Sequence, residues 1–285
     1  MTSSTQFLDA IPYLGSGLGY RREIGSRILD AGDRVDVLEV VTEQFIQAED
    51  ELAALVDRFP VIPHGVGLSI GTAGPLDREY LRSVKRVSDI TGAPYYSEHL
   101  AVTRAPGIDI GHLSPVWFTN EVLRAVIDNV HAVQDFLGKP LVLENISYLF
   151  DIPNATMTQA EFFHRLVDAT GCGLLLDVAN VNVNAQNHRF DPVEFLDSMP
   201  LHAVVQIHMA GGFWSDGIYF DGHSEPVDEA TWQLLDVLLE RVPIRISIVE
   251  RDANFPDELT PLLDDVDRIR RAISAARAPV MAPPH

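Results

Sequence analysis

Short apolar, β-branched runs alternate with longer segments of helical period along this 285-residue chain, and that alternation constrains its fold more than any other feature. The runs are Gly15–Arg21, Val35–Val41, Val61–Ile70, Tyr95–Val102, Leu141–Ser147, Gly173–Val181, Ala203–Gly211 and Arg245–Asp252. The intervening helical segments are Glu23–Ala31, Glu43–Arg58, Asp77–Thr91, Thr119–Leu137, Thr158–Thr170, Pro192–Ser198 and Pro226–Arg241, with Pro256–Ala275 last. Repeated strand–helix units of this kind predict an α/β fold, a parallel sheet closed into a (β/α)8 TIM barrel whose strands end at one shared mouth. No linker or composition shift divides the chain. The expectation is a single barrel domain over residues 1–275 and a flexible C-terminal tail over 276–285.

Local signals agree with those boundaries. Thr158 followed by Glu161 has the spacing of a capping box, Gly138 and Gly171 close helices before strands, and Asp191–Pro192 opens a short helix. Two longer connections, Thr103–Phe118 and Gly212–Pro226, follow strands and so read as loops over the mouth. The glycines of Gly15-Ser-Gly17-Leu-Gly19 imitate a dinucleotide fingerprint, but Tyr20 stands where its last glycine belongs, and the reading is a tight turn at the strand.

Charge and cysteine content narrow the partners. With 41 acidic against 21 basic residues the net charge is −20, which repels nucleic acid. The chain shows neither a basic leader nor an apolar run long enough to cross a bilayer, so no membrane association and a cytoplasmic location are expected. The one cysteine, Cys172, rules out an internal disulfide or a multi-thiolate metal site; preceding its strand, it reads as structural.

The strand ends carry the chemistry. In order they deliver His64, His99, Glu144 with Asn145, Asp177 and Asn180, His208, then Asp221 and His223 in the following loop, and Glu250. Singly, each has an ordinary reading, as a hydrogen-bonded core histidine or a helix cap. Together, four carboxylates at one mouth would repel by several kcal/mol unless cations neutralised them, and imidazoles are the usual companions of a transition metal. Four histidines, four carboxylates and Asn180 make nine donors, more than one open catalytic ion takes, so two or three ions bridged by carboxylates are expected. Nitrogen and oxygen donors without thiolate favour iron, manganese or zinc and do not choose among them. Glu39 and Glu43 flank the exit of the second strand, where they suit a supporting layer, substrate contact or helix capping, and Asn145 is expected to support the donors or contact substrate. His112, His131, His164, His202 and His285 read as structural or exposed.

Several motifs resemble one family in order and spacing: His-Gly-Val-Gly-Leu-Ser at 64–69, Ser-Glu-His-Leu at 97–100, Leu-Glu-Asn at 143–145, Gly-Cys-Gly-Leu-Leu-Leu-Asp-Val-x-Asn-Val at 171–181, Asn-His-x-Phe-Asp-Pro at 187–192, Gln-Ile-His-x-Ala-Gly at 206–211, Asp-x-His-x-x-Pro-Val at 221–227 and Ile-x-Glu-Arg-Asp at 248–252. The chain is similar here to the DUF692 family, the multinuclear non-heme iron-dependent oxidases that include the methanobactin maturase. The resemblance implies a xylose-isomerase-like barrel with its metal site at the C-terminal face of the strands. It further implies two or three irons, in mixed valence, and dioxygen as co-substrate. The implied reaction is oxidation of a residue, often cysteine, in a ribosomally made precursor peptide delivered by a leader-peptide-binding partner protein. The family's metal ligands carry over onto His64, His99, Glu144, Asp177, Asn180, His208, Asp221, His223 and Glu250, with His188 as a supporting or substrate contact. Departures are Gly212 where the family often has histidine, Ala179 where asparagine is frequent, and Tyr20 in the opening glycine motif. Two other classes stay open: a di- or trinuclear metal-dependent hydrolase or isomerase on the same barrel, and a non-enzymatic peptide-binding barrel in which metal is a structural clamp.

Overall fold

The computed structural model describes residues 6–105, 107–150 and 152–277. Twelve strands occur among them: β1 (Gly15–Gly19), β2 (Leu38–Val41), β3 (Val61–Gly65), β4 (Tyr96–His99), β5 (Ala101–Ala105), β6 (Ile108–Pro115), β7 (Leu141–Glu144), β8 (Gly173–Asp177), β9 (Val204–Met209), β10 (Gly211–Ser215), β11 (Ile218–Glu225) and β12 (Ile246–Val249). Eight form a closed parallel barrel in the order β1-β2-β3-β4-β7-β8-β9-β12, with β12 pairing back onto β1. Each expected strand overlaps one of the eight. Their side chains are buried almost without exception, as befits strands covered by helices.

The helices begin and end where their chemistry says. Asp77 accepts from the amides of Glu79 and Tyr80, Thr119 from that of Val122, and Thr158 from that of Glu161. Three of these helices stop at Gly92, Gly138 and Gly171, whose φ of 61°, 71° and 66° is the left-handed conformation a glycine cap provides. Apolar faces of the helices close on the barrel through residues such as Val84, Val126, Phe162, Leu235 and Val266, forming the core.

Several expectations are corrected. The strand expected over Gly173–Val181 ends at Asp177, whose side chain caps a helix over Val178–His188 by accepting from the Asn180 amide at 2.7 Å. Residues Val178 to Ala185 of that helix are all buried, so it lacks the polar stripe that would betray a helical period. The helix expected over Glu43–Arg58 is broken into Thr42–Phe45 and Glu49–Val56. Both mouth loops are β-hairpins, β5–β6 and β10–β11. The glycine run makes no turn: it is strand β1, in which a Cβ on Gly17 would lie 1.7 Å from the Val37 carbonyl oxygen.

The last helix, Thr260–Arg277, runs past the expected start of the tail, and residues 278–285 of that tail lie outside the described residues. No helix among the described residues is long and apolar enough to cross a membrane. Cys172 is buried ahead of β8, and burial pushes its thiol up to about 11.

Candidate metal centre

Parallel register explains how distant residues meet. His99 is the Cα partner of Glu144, Asp177 of His208, and His64 of Ser97, so these side chains leave neighbouring strands at one height. Glu250 follows the last residue of β12. Asp221 and His223 come from β11, the returning strand of the second hairpin. His223 adopts φ 45°, a left-handed backbone rare for a residue other than glycine, and its carbonyl accepts from the Asp252 amide at 2.8 Å.

The nine expected donors are all brought to the mouth. Nε2 of His64 lies 3.1 Å from Glu144 Oε2, and Nε2 of His99 lies 3.4 Å from the same oxygen. Nδ1 of His208 is 3.0 Å from Glu250 Oε2 and 3.6 Å from Glu144 Oε1. Nε2 of His223 faces Asp221 Oδ1 at 2.7 Å and Asp177 Oδ2 at 3.7 Å. Asn180 stands beside them on the buried helix, its amide nitrogen donating to the Asn145 carbonyl. Above these groups opens a cavity of about 520 Å³, rimmed by Val66, Leu113, Ile146 and Ser147.

Six of these residues carry a buried polar atom left without a hydrogen bond. Glu144 Oε2, Asp177 Oδ2, Asn180 Oδ1, His208 Nδ1, Asp221 Oδ1 and His223 Nε2 are buried and make no well-directed hydrogen bond, close as several of them stand to one another. Buried polar atoms are rarely left so, and lone pairs that converge without bonding one another are what a cation requires. The donors fall into three overlapping groups, His64–His99–Glu144, Glu144–Asp177–His208 and Asp177–His223–Glu250, with the donor atoms of each within 4.8 Å of one another. Ligands at about 2.0–2.2 Å from one ion stand only slightly closer than that, so the residues fit two or three cations sharing Glu144 and Asp177. The donor set, imidazole and carboxylate without sulfur, suits iron, manganese or zinc.

A supporting layer fixes each imidazole. His99 Nδ1 is 2.9 Å from the Gly65 carbonyl, which can only accept, so Nδ1 carries the proton and Nε2 faces the centre. Ser97 donates to the Pro63 carbonyl and thereby offers its lone pair to His64 Nδ1 at 3.0 Å. Asp252 Oδ2 holds His223 Nδ1 at 3.2 Å. Glu39 Oε1 holds His208 Nε2 at 2.9 Å, which leaves Nδ1 free. Gln206 Nε2, 2.9 Å from the same ring nitrogen, donates to the second Glu39 oxygen, and Tyr95 fixes the amide by donating to Gln206 Oε1. Glu39, His208 and Glu250 also lie within 4.8 Å of one another, but both Glu39 oxygens are engaged, so it serves as support.

The residues expected beside the donors have other contacts. Asn145 is a structural clamp: its side chain donates to the Asp177 carbonyl at 3.0 Å and accepts from the Asp177 amide at 2.9 Å. His188, at the end of the buried helix, stacks on Tyr148 and lies 2.9 Å from its carbonyl oxygen. Glu43 accepts from the amides of Val66 and Gly67 at 2.8 Å, which shapes the loop after β3. His112, expected to be merely structural or exposed, is exposed yet borders the mouth cavity from β6. Ser97, Gln206 and Asp252 lie inside the quoted motifs but carried no assigned role; the parallel register is the signal that finds them.

The imidazoles and carboxylates of the site shift one another's ionisation. Burial pulls His99 down, but Glu144 and Glu98 outweigh it and push the ring up to about 10. Burial likewise opposes charge on His208 and His223, yet their carboxylate neighbours hold both well above the ordinary value. Glu144 and Glu250, also against burial, are held well below the usual carboxylate range by the facing imidazoles. Asp177 is driven well up, by burial first and then by Asp221 and Glu144.

A UPF0276 protein of Caulobacter vibrioides is 35% identical over 271 residues, covering 93% of this chain and 96% of that one. Another UPF0276 protein, from Rhizorhabdus wittichii, is 36% identical over 271 residues, covering 92% and 95%. Among solved structures, D-psicose 3-epimerase in the presence of D-fructose superposes with a TM-score of 0.57 at 13% identity, covering 93% of this chain and 98% of that one. A xylose isomerase-like TIM barrel protein from Mycobacterium smegmatis in complex with magnesium gives 0.55 at 14%, covering 98% and 100%. These two likenesses establish the barrel alone. The profile described as RiPP precursor modification enzyme MbnB/TglH/ChrH matches residues 15–274, and the chain belongs to that family.

Proposed function

We propose that this protein is an iron- and O2-dependent oxidase that modifies a residue, often cysteine, of a ribosomally synthesised precursor peptide. The observation that carries the reading is the convergence of six buried, unpartnered donor atoms beneath an open cavity in a member of a peptide-modifying family. His64, His99 and Glu144 would hold one ion, Glu144, Asp177 and His208 a second, and Asp177, Asp221, His223 and Glu250 a third, with Asn180 completing the set. Iron, when bound, supplies the one-electron and O2 chemistry that no side chain can.

The chain's own residues do the rest. Glu144 and Asp177, each common to two donor groups, would hold neighbouring ions together, and the supporting contacts keep the imidazole lone pairs turned to the centre. Helices cover the barrel sides, and the cavity at the mouth is bordered by Leu113 of the first hairpin and Asp221 of the second. A leader-binding partner protein would present the peptide there. The test is co-expression with the short peptide encoded nearest the gene: a peptide mass change that requires iron and O2 supports the reading. Turnover by a zinc-loaded protein indifferent to O2 would favour the hydrolase or isomerase class instead.

A further inference from the structure

One buried cation stands against the acidic centre. Arg21, 9% exposed, lies just beyond β1, and the register at the seam puts it there. Leu18 of β1 pairs with Val249 of β12, so three residues further along both strands Arg21 comes beside Asp252. Its Nε donates to Asp252 Oδ1 at 2.7 Å and an η nitrogen to Glu250 Oε1 at 3.3 Å, while another donates to the Tyr20 carbonyl at 3.0 Å. The fork therefore occupies one oxygen of each carboxylate. Their remaining oxygens both face His223 Nδ1, Glu250 Oε2 at 3.3 Å and Asp252 Oδ2 at 3.2 Å.

We propose that Arg21 is a positioning residue for the part of the centre built by Asp177, His223 and Glu250, selecting which Glu250 oxygen faces the cations and, through Asp252, which His223 nitrogen does. A guanidinium can do this because its donors are fixed in one plane, whereas a lysine ammonium offers charge without the fork. Asp252 relays the effect. With Oδ1 tied to Arg21, Oδ2 accepts the Nδ1 proton of His223, leaving Nε2 to face Asp177 and Asp221. The site of His64, His99 and Glu144 lies outside this relay. The inference rests on the metal centre proposed above and not on its oxidative chemistry.

The test is anaerobic titration with Fe(II), read by bound iron per chain and by Mössbauer spectra, on wild type, Arg21→Lys, Asp252→Asn and the double variant. Arg21→Lys should weaken one class of site by about 10–100-fold, the range for loss of a ligand's supporting partner, and leave the spectrum of the others unchanged. Asp252→Asn should perturb the same class, because its amide offers a donor to a nitrogen that must itself donate. The double variant should show no further loss. Wild-type stoichiometry and spectrum in Arg21→Lys, or equal weakening of every site, overturns the proposal. If Arg21→Lys does not fold, Asp252→Asn alone carries the test: loss of one class supports the relay and an unchanged spectrum overturns it. Wild-type protein that takes up no iron would overturn the metal centre itself, a different result from iron-loaded wild type with an indifferent Arg21→Lys.

Discussion

His208 is held between two carboxylates, with Nε2 2.9 Å from Glu39 and Nδ1 3.0 Å from Glu250. Only one of these contacts can carry the ring proton without losing the cation, and the saturated Glu39 is the one placed to take it. Glu39→Gln keeps the size of the side chain but makes its bond to Nε2 ambiguous. Metal affinity should fall about 10–100-fold with the barrel intact. Titration with Fe(II) alongside far-UV circular dichroism checks this; unchanged affinity would show that the tautomer is fixed elsewhere.

Metal uptake should release protons and strengthen with pH. Without cations His99 titrates at about 10, and His208 and His223 are held above their ordinary value, so all three keep their protons at neutral pH. A cation must displace them. The raised groups favour the protonated, metal-free form below their pKa, so apparent affinity rises as pH climbs towards those values, by roughly tenfold per unit for each proton released. Titrations at three pH values in weakly buffered solution would measure both slope and proton release. A flat profile contradicts the assignment.

The second hairpin should be needed for the metal it carries. Asn187 accepts from the Tyr219 amide at 2.9 Å and donates to the Tyr219 carbonyl at 2.8 Å, clasping β11 two residues before Asp221. Tyr219 also donates to Asp228, the cap of helix Glu229–Leu239. Asn187→Ala should lower stability by about 1–3 kcal/mol and reduce metal retention out of proportion to that loss. Denaturant unfolding and metal analysis on one preparation separate the two effects.

Removing metal should loosen the fold. Glu144, Asp177 and Glu250 are buried close together, where bound cations would offset their mutual repulsion more fully than the facing imidazoles and Arg21 do. A ligand at 100 times its Kd stabilises by about 2.7 kcal/mol, so melting should occur several degrees lower after chelation and recover on adding iron. Identical melting curves would mean that the cations contribute nothing to the folded state.

Much of the barrel was legible because its two periods differ. Strands such as Leu141–Glu144 and Ile246–Val249 are short, mostly apolar runs, and helices such as Asn120–Leu137 carry a polar stripe. The helix Val178–His188 was not legible: buried along its first two turns and rich in valine and asparagine, it shows no face, and the Asp177–Asn180 cap was its one local sign. The hairpins were hidden because their turn residues, near Asp216–Gly217 and Gly107, sit in stretches that also suit a loop. The donors at strand ends could be read because a parallel barrel brings all such ends together. Their supporting partners could not, since pairing Glu39 with His208 or Asp252 with His223 needs the register of strands far apart in the chain.

The central claim, that donors from seven parts of the chain hold more than one cation, is tested most directly by metal analysis of protein produced with added iron. The account predicts about two or more irons per chain in the wild type and their loss in Glu144→Ala, whose carboxylate is shared between two sites. Wild-type protein that takes up no metal, or a Glu144→Ala variant that keeps the full complement, would contradict it.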